Sequence, residues 1–534
     1  MAAVIWSTSS LAQLPDRTRN PNTANAGIAK SLAQQIGAGA GNTVTPNSSR
    51  FIIARDPFRA VRRGRQLFQR KFTRDQGHGP ITGDGDGKHD IETDIIIGAG
   101  LADSCASCHG RPKGSAGSGG DVVTRPDSRD APHLFGLGLK EMLADEITSE
   151  LRAIRAQAIS DARRFGTLVT RSLRTSSGKG NISYGSITAR PNGTVDTSRV
   201  DGVNPDLRVR PFFLHGDTIS MREFLVGAFN AEMGLEAVDP DLRAAAGGRF
   251  VTPSGMVLDG DLDTLETPPV NNELHDSDND GVVNEIPTSL VDFMEFYLLH
   301  YFKAGLGEGN PEPILPGYPT PSFIVDDGLD KFKQIGCAEC HIQNLAINRD
   351  RRVADVETRW DPVRGNPINN LFATATAFFT AINDGSGHPT LKRPNFGSFV
   401  VRNIFTDFKR HDLGPNFHEI NFDGTIRREF LTTPLWGVGS TGPFGHDGRS
   451  MTLKDVILRH GGEAKLARDR FANASLTTQL NIMFFLNTLV IFPPDDTASN
   501  LPGGAAVPST SGYPQFGHGS IRLVGLFNDP NDPE

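Results

Sequence analysis

All four cysteines of this 534-residue chain fall in two copies of one pattern, Cys105-Ala-Ser-Cys108-His109 and Cys337-Ala-Glu-Cys340-His341. C-x-x-C-H is the spacing of covalent c-type haem attachment. Two thiols one helical turn apart can each form a thioether to one vinyl group of a haem, and the histidine that follows ligates the iron from the proximal side. A single C-x-x-C would also suit a redox pair or half a zinc site. Two copies, each followed by histidine and with no cysteine left over, point to two covalently bound haems c.

Cysteine usage also bears on location. Haem is joined to this motif on the outer side of a bacterial cytoplasmic membrane, where spare thiols are oxidised, and this chain has none spare. The expected location is periplasmic or secreted. Met1-Ala-Ala-Val-Ile-Trp6 and the Ser/Ala-rich stretch to Ala12 lack a basic n-region but have the character of an h-region tail with its cleavage zone, so part of a signal is expected upstream. No apolar run approaches 18 residues, and no transmembrane anchor is expected.

With 37% hydrophobic residues and net charge −8, the chain reads as an ordinary globular protein of two or more domains, and nothing is basic enough for nucleic acid. The 33 Phe against five Tyr and three Trp suit either a Phe-rich core or an apolar cavity for an apolar substrate. Residues 1–50, rich in Ala, Asn, Ser, Thr and Gly, read as an extended N-terminal arm. Gly64-Arg-Gln-Leu-Phe68 opens a helix before the first motif. Leu139, Met142, Leu143, Ile147, Leu151, Ile154 and Ala158 mark a long amphipathic helix. The polar stretch 175–208 reads as a surface insertion. A Pro-rich linker at 311–321 precedes Gly328-Leu-Asp-Lys-Phe332, which begins a second unit.

The halves repeat one another. Ala131-Pro-His-Leu-Phe-Gly-Leu-Gly138 matches Thr433-Pro-Leu-Trp-Gly-Val-Gly439, and Phe213-Leu-His-Gly216 with Ser220-Met-Arg-Glu-Phe224 matches Phe444-Gly-His-Asp-Gly448 with Thr452-Leu-Lys-Asp-Val456. The expected fold is therefore mainly α: two cytochrome-c-like haem domains, 51–310 and 311–534, related by internal duplication, with long loop insertions.

These segments, with Gly442-Pro-Phe-Gly-His-Asp-Gly448 and Arg459-His-Gly-Gly462, resemble the bacterial dihaem cytochrome c peroxidase superfamily over roughly residues 55–490. Arg210-Pro-Phe-Phe-Leu-His-Gly216 and Ala228-Phe-Asn-Ala-Glu-Met-Gly234 are similar, within it, to the dihaem c-type rubber oxygenases. The resemblance implies a distal ligand for haem 2 at His460, fourteen residues after His446, and hence a closed His341/His460 site that relays or stores an electron. The corresponding helix of the first half offers Phe229 without a gap, or Ala228 with a one-residue gap, and neither binds iron. Haem 1 would then hold only His109, with His133 and His215 as competing ligands, and present an open face to dioxygen or peroxide.

Glu232, about a turn beyond Phe229, is the candidate acid/base for peroxide; Phe212, Phe213, Leu214 and Phe229 suit a dry pocket, dioxygen and an apolar alkene. Asp276, Asp278 and Asp280, with Gly281 and Asn284, follow the spacing of an EF-hand-like calcium loop, although Pro287 stands where a bidentate Glu belongs. The leading expectation is an oxygenase that cleaves polyisoprene or a smaller alkene with dioxygen. A hydrogen-peroxide-dependent peroxidase served by an electron-donor cytochrome comes second, and a non-enzymatic electron carrier third.

Overall fold

The computed structural model describes residues 31–73, 76–78, 103–109, 130–134, 136–263, 265, 284–301, 322–351, 397–420, 424–440 and 442–489, together with short strands between 354 and 394. Two short helices lie in and just after the stretch expected to be an extended arm, α1 (Leu32–Ile36) and α2 (Ser49–Arg55). Ser31 and Gln34 close a reciprocal capping box on α1. There follow α3 (Pro57–Phe68), α4 (Cys105–His109), α5 (Leu137–Phe165), a three-stranded antiparallel sheet β1 (Val169–Arg174), β2 (Ser183–Ala189) and β3 (Val195–Val200), then α6 (Met221–Met233), α7 (Pro240–Ala246) and α8 (Thr288–Tyr301). The second half contributes α9 (Ser322–Gln334), α10 (Leu453–Arg459), α11 (Lys465–Ala472) and α12 (Leu476–Asn487), interspersed with two-stranded hairpins.

A mainly α fold with halves related by duplication is not what results. The described residues are 44% helix and 14% strand, the strands in several small sheets. These strands are mostly two to four residues long, and β2 slips register against β1 between Ser183 and Ser186, around Gly185 (φ +78°), where a side chain would overlap the Arg199 carbonyl. Short, irregular strands leave no sustained period-2 signal in a sequence. The polar 175–208 stretch is one such place: Tyr184, Ile187 and Ala189 of β2 turn inward, and Tyr184 donates to the Asp407 carbonyl at 2.7 Å.

Likeness between the halves is local. In each, the helix ahead of the haem motif crosses a later helix at a glycine. A methyl group at Gly64 of α3 would overlap the Phe293 carbonyl of α8, and one at Gly328 of α9 would overlap the Asn481 carbonyl of α12. Only glycine lets the backbones approach so closely. The long helix α5 follows its 3.6-residue pattern, burying Leu139, Met142, Leu143, Ile147, Leu151 and Ala158. Two hydrophobic cores result. The larger gathers α1, α2, α3, α5, α6 and α8 and also takes in Leu345, Ile347, Val401, Ile404, Phe408 and Trp436 from the second half. The smaller lies among α9, α10, α11 and α12.

Helix α6 is held by buried charge. Arg222 meets Asp239 at 2.8 Å, Asp292 at 3.0 Å and Glu295 at 3.0 Å, all with side chains fully out of solvent. Removing a guanidinium from such a cluster strands several carboxylates in low dielectric. Arg222→Met should therefore lower stability by about 3–5 kcal/mol in a denaturant titration of the haem-loaded protein. A loss below about 1 kcal/mol would show that the carboxylates simply take up protons.

Candidate haem centres

His109 closes the short helix α4, and its Nδ1 bonds the Pro132 carbonyl at 2.8 Å. His341 Nδ1 bonds the Phe405 carbonyl at 3.1 Å, and His460 Nδ1 bonds the Val456 carbonyl one turn back at 2.7 Å. A metal-ligating imidazole characteristically donates its second N–H to a backbone carbonyl, which sets the tautomer and leaves Nε2 for the metal. All three expected ligands have this arrangement.

Burial holds His109 below its ordinary value, opposed by the Pro132 carbonyl and by the charge of Glu232. It draws His341 down to about 4, with His460 adding repulsion against the pull of the Phe405 carbonyl, and lowers His460 as well. Neutral imidazoles at pH 7 are what iron needs. The thiols of Cys105 and Cys337 are pushed up by burial to about 12, so neither rests as a reactive thiolate.

A cavity of about 380 Å³ lies in the second half, lined by Cys337, Cys340, His341, Trp436, Phe444 and His460 among others. His341 and His460 both stand on its walls, near enough that a proton on His460 would disfavour one on His341. Phe332, Phe405 and Phe485 pack edge to face at 5.5–5.9 Å behind His341. An apolar chamber with two attachment cysteines and two oriented imidazoles fits a haem c with two nitrogen ligands. His446 lines the same chamber, yet it stacks on Phe430 at 4.0 Å and pairs with Glu419 at 3.1 Å, a loop-ordering role. Cys340, Asp407 and His411 could by themselves hold a metal ion. His411 instead bridges Asp407 and Glu463 at 2.9 and 2.8 Å. Burial would lower its pKa, but the Asp407 carboxylate holds it well above the usual imidazole range.

The second histidine-bearing loop has a counterpart in the first half. Phe444 and Ser450 form a bridge, as do Phe212 and Thr218. Gly448 and Gly216 both take positive φ, and the helices that follow begin at Thr452 and Ser220, each bonding the N–H three residues on. His460 stands eight residues after Thr452; eight after Ser220 stands Ala228. By this count it is the gapped alternative, Ala228, that answers His460, and Phe229 lies one place further on, 1% exposed in the core.

The two competing histidines are engaged elsewhere. His215 Nε2 pairs with Asp217, and His133 Nε2 bonds the Trp436 carbonyl at 3.0 Å on the wall of the second chamber. Trp436, within the repeated Thr433–Gly439 segment, is buried with its ring against Gly136 of the matching first-half segment. Among the described residues, Glu232 is the carboxylate whose charge reaches His109. Asp276, Asp278 and Asp280 lie outside the described residues. Asn284 of the same loop accepts from the Val238 N–H at 2.9 Å.

Residues 340–489 match a family model described as "Di-haem oxidoreductase, putative peroxidase". The matched stretch holds Cys340, His341, Trp436, His446 and His460, and it supports a dihaem oxidoreductase of the peroxidase-like superfamily. Neither a curated protein nor a solved structure matches the chain. No helix among the described residues is long and apolar enough to cross a membrane.

What sequence reasoning missed is the second tier of the haem 2 site: the carbonyls of Phe405 and Val456 that aim the imidazoles, the Phe332/Phe405/Phe485 wall, and His411. Backbone carbonyls carry no sequence signal. The Phe-rich composition was the one available hint of the wall.

Proposed function

We propose that this chain is a dihaem c-type oxidoreductase in which haem 1 takes the oxidant and haem 2 relays electrons. One observation carries the reading: eight residues after its capping Thr452 the second half has His460, and eight after the matching Ser220 the first half has Ala228. Cys105 and Cys108 would hold haem 1 with His109 as its proximal ligand; Cys337 and Cys340 would hold haem 2 between His341 and His460. Haem iron would supply one-electron redox chemistry at both sites.

The protein's own residues do the rest. The Pro132 carbonyl orients His109. Ala228 leaves room for a small ligand, and Phe229 seals the wall against water. Glu232, close enough for its charge to reach His109, is the base that accepts a proton from hydrogen peroxide and returns it to the departing oxygen. Trp436, between the halves, is the side chain through which electrons from haem 2 reach haem 1. The carboxylate of Glu232 and the family description favour peroxide as oxidant and a small cytochrome as donor.

A second reading has its own observation. Phe213 packs on Phe224 at 4.9 Å, and Phe212 lies 6.3 Å from Phe224, in the loop and helix that carry Ala228 and Phe229. Such an apolar corner suits dioxygen and cleavage of an apolar alkene such as an isoprenoid polymer.

Electron paramagnetic resonance of the oxidised, haem-loaded protein tests the asymmetry that both readings share. The expected spectrum has one low-spin centre that His460→Ala alters, and a second centre whose signal changes on adding cyanide or imidazole. Two identical bis-histidine signals would refute it.

A further inference from the structure

One short segment of the first half belongs to both centres. Asp130, Pro132 and His133 lie on the wall of the haem 2 chamber, as Trp436 does. The Pro132 carbonyl also accepts from His109 Nδ1 at 2.8 Å, and so holds the proximal ligand expected for haem 1. The segment is pinned on either side of that carbonyl. Asp130 donates its N–H to the His446 carbonyl at 2.7 Å, and Leu134 is buried in the larger core. Proline, with φ fixed by its ring, leaves the chain little freedom to swing the carbonyl away from His109.

His133 supplies the other contact. Its Nε2 lies 3.0 Å from the Trp436 carbonyl, and because a carbonyl only accepts, that nitrogen carries the proton. Trp436, His133, the peptide bond to Pro132, and His109 therefore form one unbroken series of covalent bonds and two hydrogen bonds between the second chamber and the first centre. Trp436 touches the first half elsewhere too, with its ring on Gly136. That route crosses a van der Waals contact and then the backbone of the three residues between Gly136 and Pro132, whereas His133 is the immediate neighbour of Pro132 and is itself on the chamber wall. Electronic coupling falls with every bond in series and most steeply across a gap with no bond, so the hydrogen-bonded route is the stronger of the two.

We propose that His133 and Pro132 carry the electron from the haem 2 chamber and Trp436 into haem 1 through His109, on its proximal side. The inference rests on the dihaem reading and extends the part given there to Trp436. One electron leaves the iron of haem 2 and one reaches the iron of haem 1; the protons on His133 Nε2 and His109 Nδ1 stay where they are. Entry from the proximal side leaves the Ala228 face of haem 1 to the oxidant.

The test uses the haem-loaded protein as a mixed-valence carbon monoxide complex, with haem 1 reduced and ligated and haem 2 oxidised. Photolysis of the carbon monoxide lets an electron pass from haem 1 to haem 2, and the optical rate reads the same path in reverse. His133→Leu, which has no N–H, and His133→Asn, too short to reach the Trp436 carbonyl, should each slow this transfer several-fold. His133→Gln, whose amide can remake the hydrogen bond, should recover most of the wild-type rate. Potentiometric titration of each variant separates a broken path from an altered driving force. Wild-type rates in His133→Leu and His133→Asn overturn the proposal, as does slowing that shifted potentials account for in full. Slowing in Trp436→Phe without slowing in the His133 variants overturns it as well and gives the electron to Gly136. If His133→Leu fails to load both haems, His133→Asn against His133→Gln decides by the same criteria. Fewer than two haems in wild type by pyridine haemochrome absorbance, or no haem that binds carbon monoxide, would refute the dihaem reading instead.

Discussion

Replacing Ala228 by histidine should close haem 1. Ala228 stands eight residues after the N-cap Ser220, as His460 stands eight after Thr452, and the loops ahead of both helices share a bridge and a positive-φ glycine at matching places. A histidine there would offer its imidazole where the second centre already has one. The haem-loaded Ala228→His protein should show a second low-spin centre, lose its cyanide response at haem 1, and lose turnover with any oxidant that must bind iron. The reciprocal His460→Ala should open haem 2 to imidazole. One structural difference bears on the outcome: α6 continues to Met233, whereas α10 stops at Arg459 before Gly461 and Gly462. The new imidazole would therefore leave from a helical residue. If haem 1 in Ala228→His stays high-spin and cyanide-sensitive, the two helices do not present equivalent positions to their haems.

The second large effect concerns the oxidant. Glu232→Gln keeps the shape of the side chain and removes its ability to carry a proton. In a peroxidase it should lower peroxide turnover with a cytochrome donor by about 10²–10⁴-fold, the usual worth of a positioned acid/base. Phe229→Ala should matter much less in that assay. An oxygenase would behave the other way. It would release carbonyl-ended products from polyisoprene or a smaller isoprenoid under air without added peroxide, would be slowed strongly by Phe229→Ala, and would tolerate Glu232→Gln. Alkene cleavage insensitive to Glu232→Gln would displace the peroxidase reading; inertness to alkenes together with peroxide turnover that needs Glu232 would retire the oxygenase.

Much of the chemistry is local in sequence and was legible there. Covalent haem attachment needs two thiols and an imidazole within five consecutive residues, so C-x-x-C-H can be read without knowing the fold. The long helix α5 was legible because a 3.6-residue apolar period sustained over many turns matches one face of a helix and no strand. The glycine ahead of each motif, Gly64 and Gly328, appeared in the sequence only as a helix start. Its reason, a helix crossing too close for any side chain, belongs to the partners α8 and α12, more than 150 residues away.

The fold class was misjudged because the strands are short. Two-stranded sheets such as Phe399–Val401 against Leu345–Ile347 are set by backbone pairing between distant segments rather than by alternation within either one. The halves are alike at their helix crossings and histidine loops, but the three-stranded sheet belongs to one half alone among the described residues, and the larger core crosses between them.

The sequence by itself determined the number of C-x-x-C-H motifs, the histidine that ends each and the candidate status of His460, because these depend on residue type and short spacing. Only the tertiary structure decided that matching loops and caps precede the helices carrying Ala228 and His460, and that the carbonyls of Pro132, Phe405 and Val456 aim the three imidazoles. Each of these is a relation between backbone positions, and a backbone acquires its neighbours only when the chain has packed.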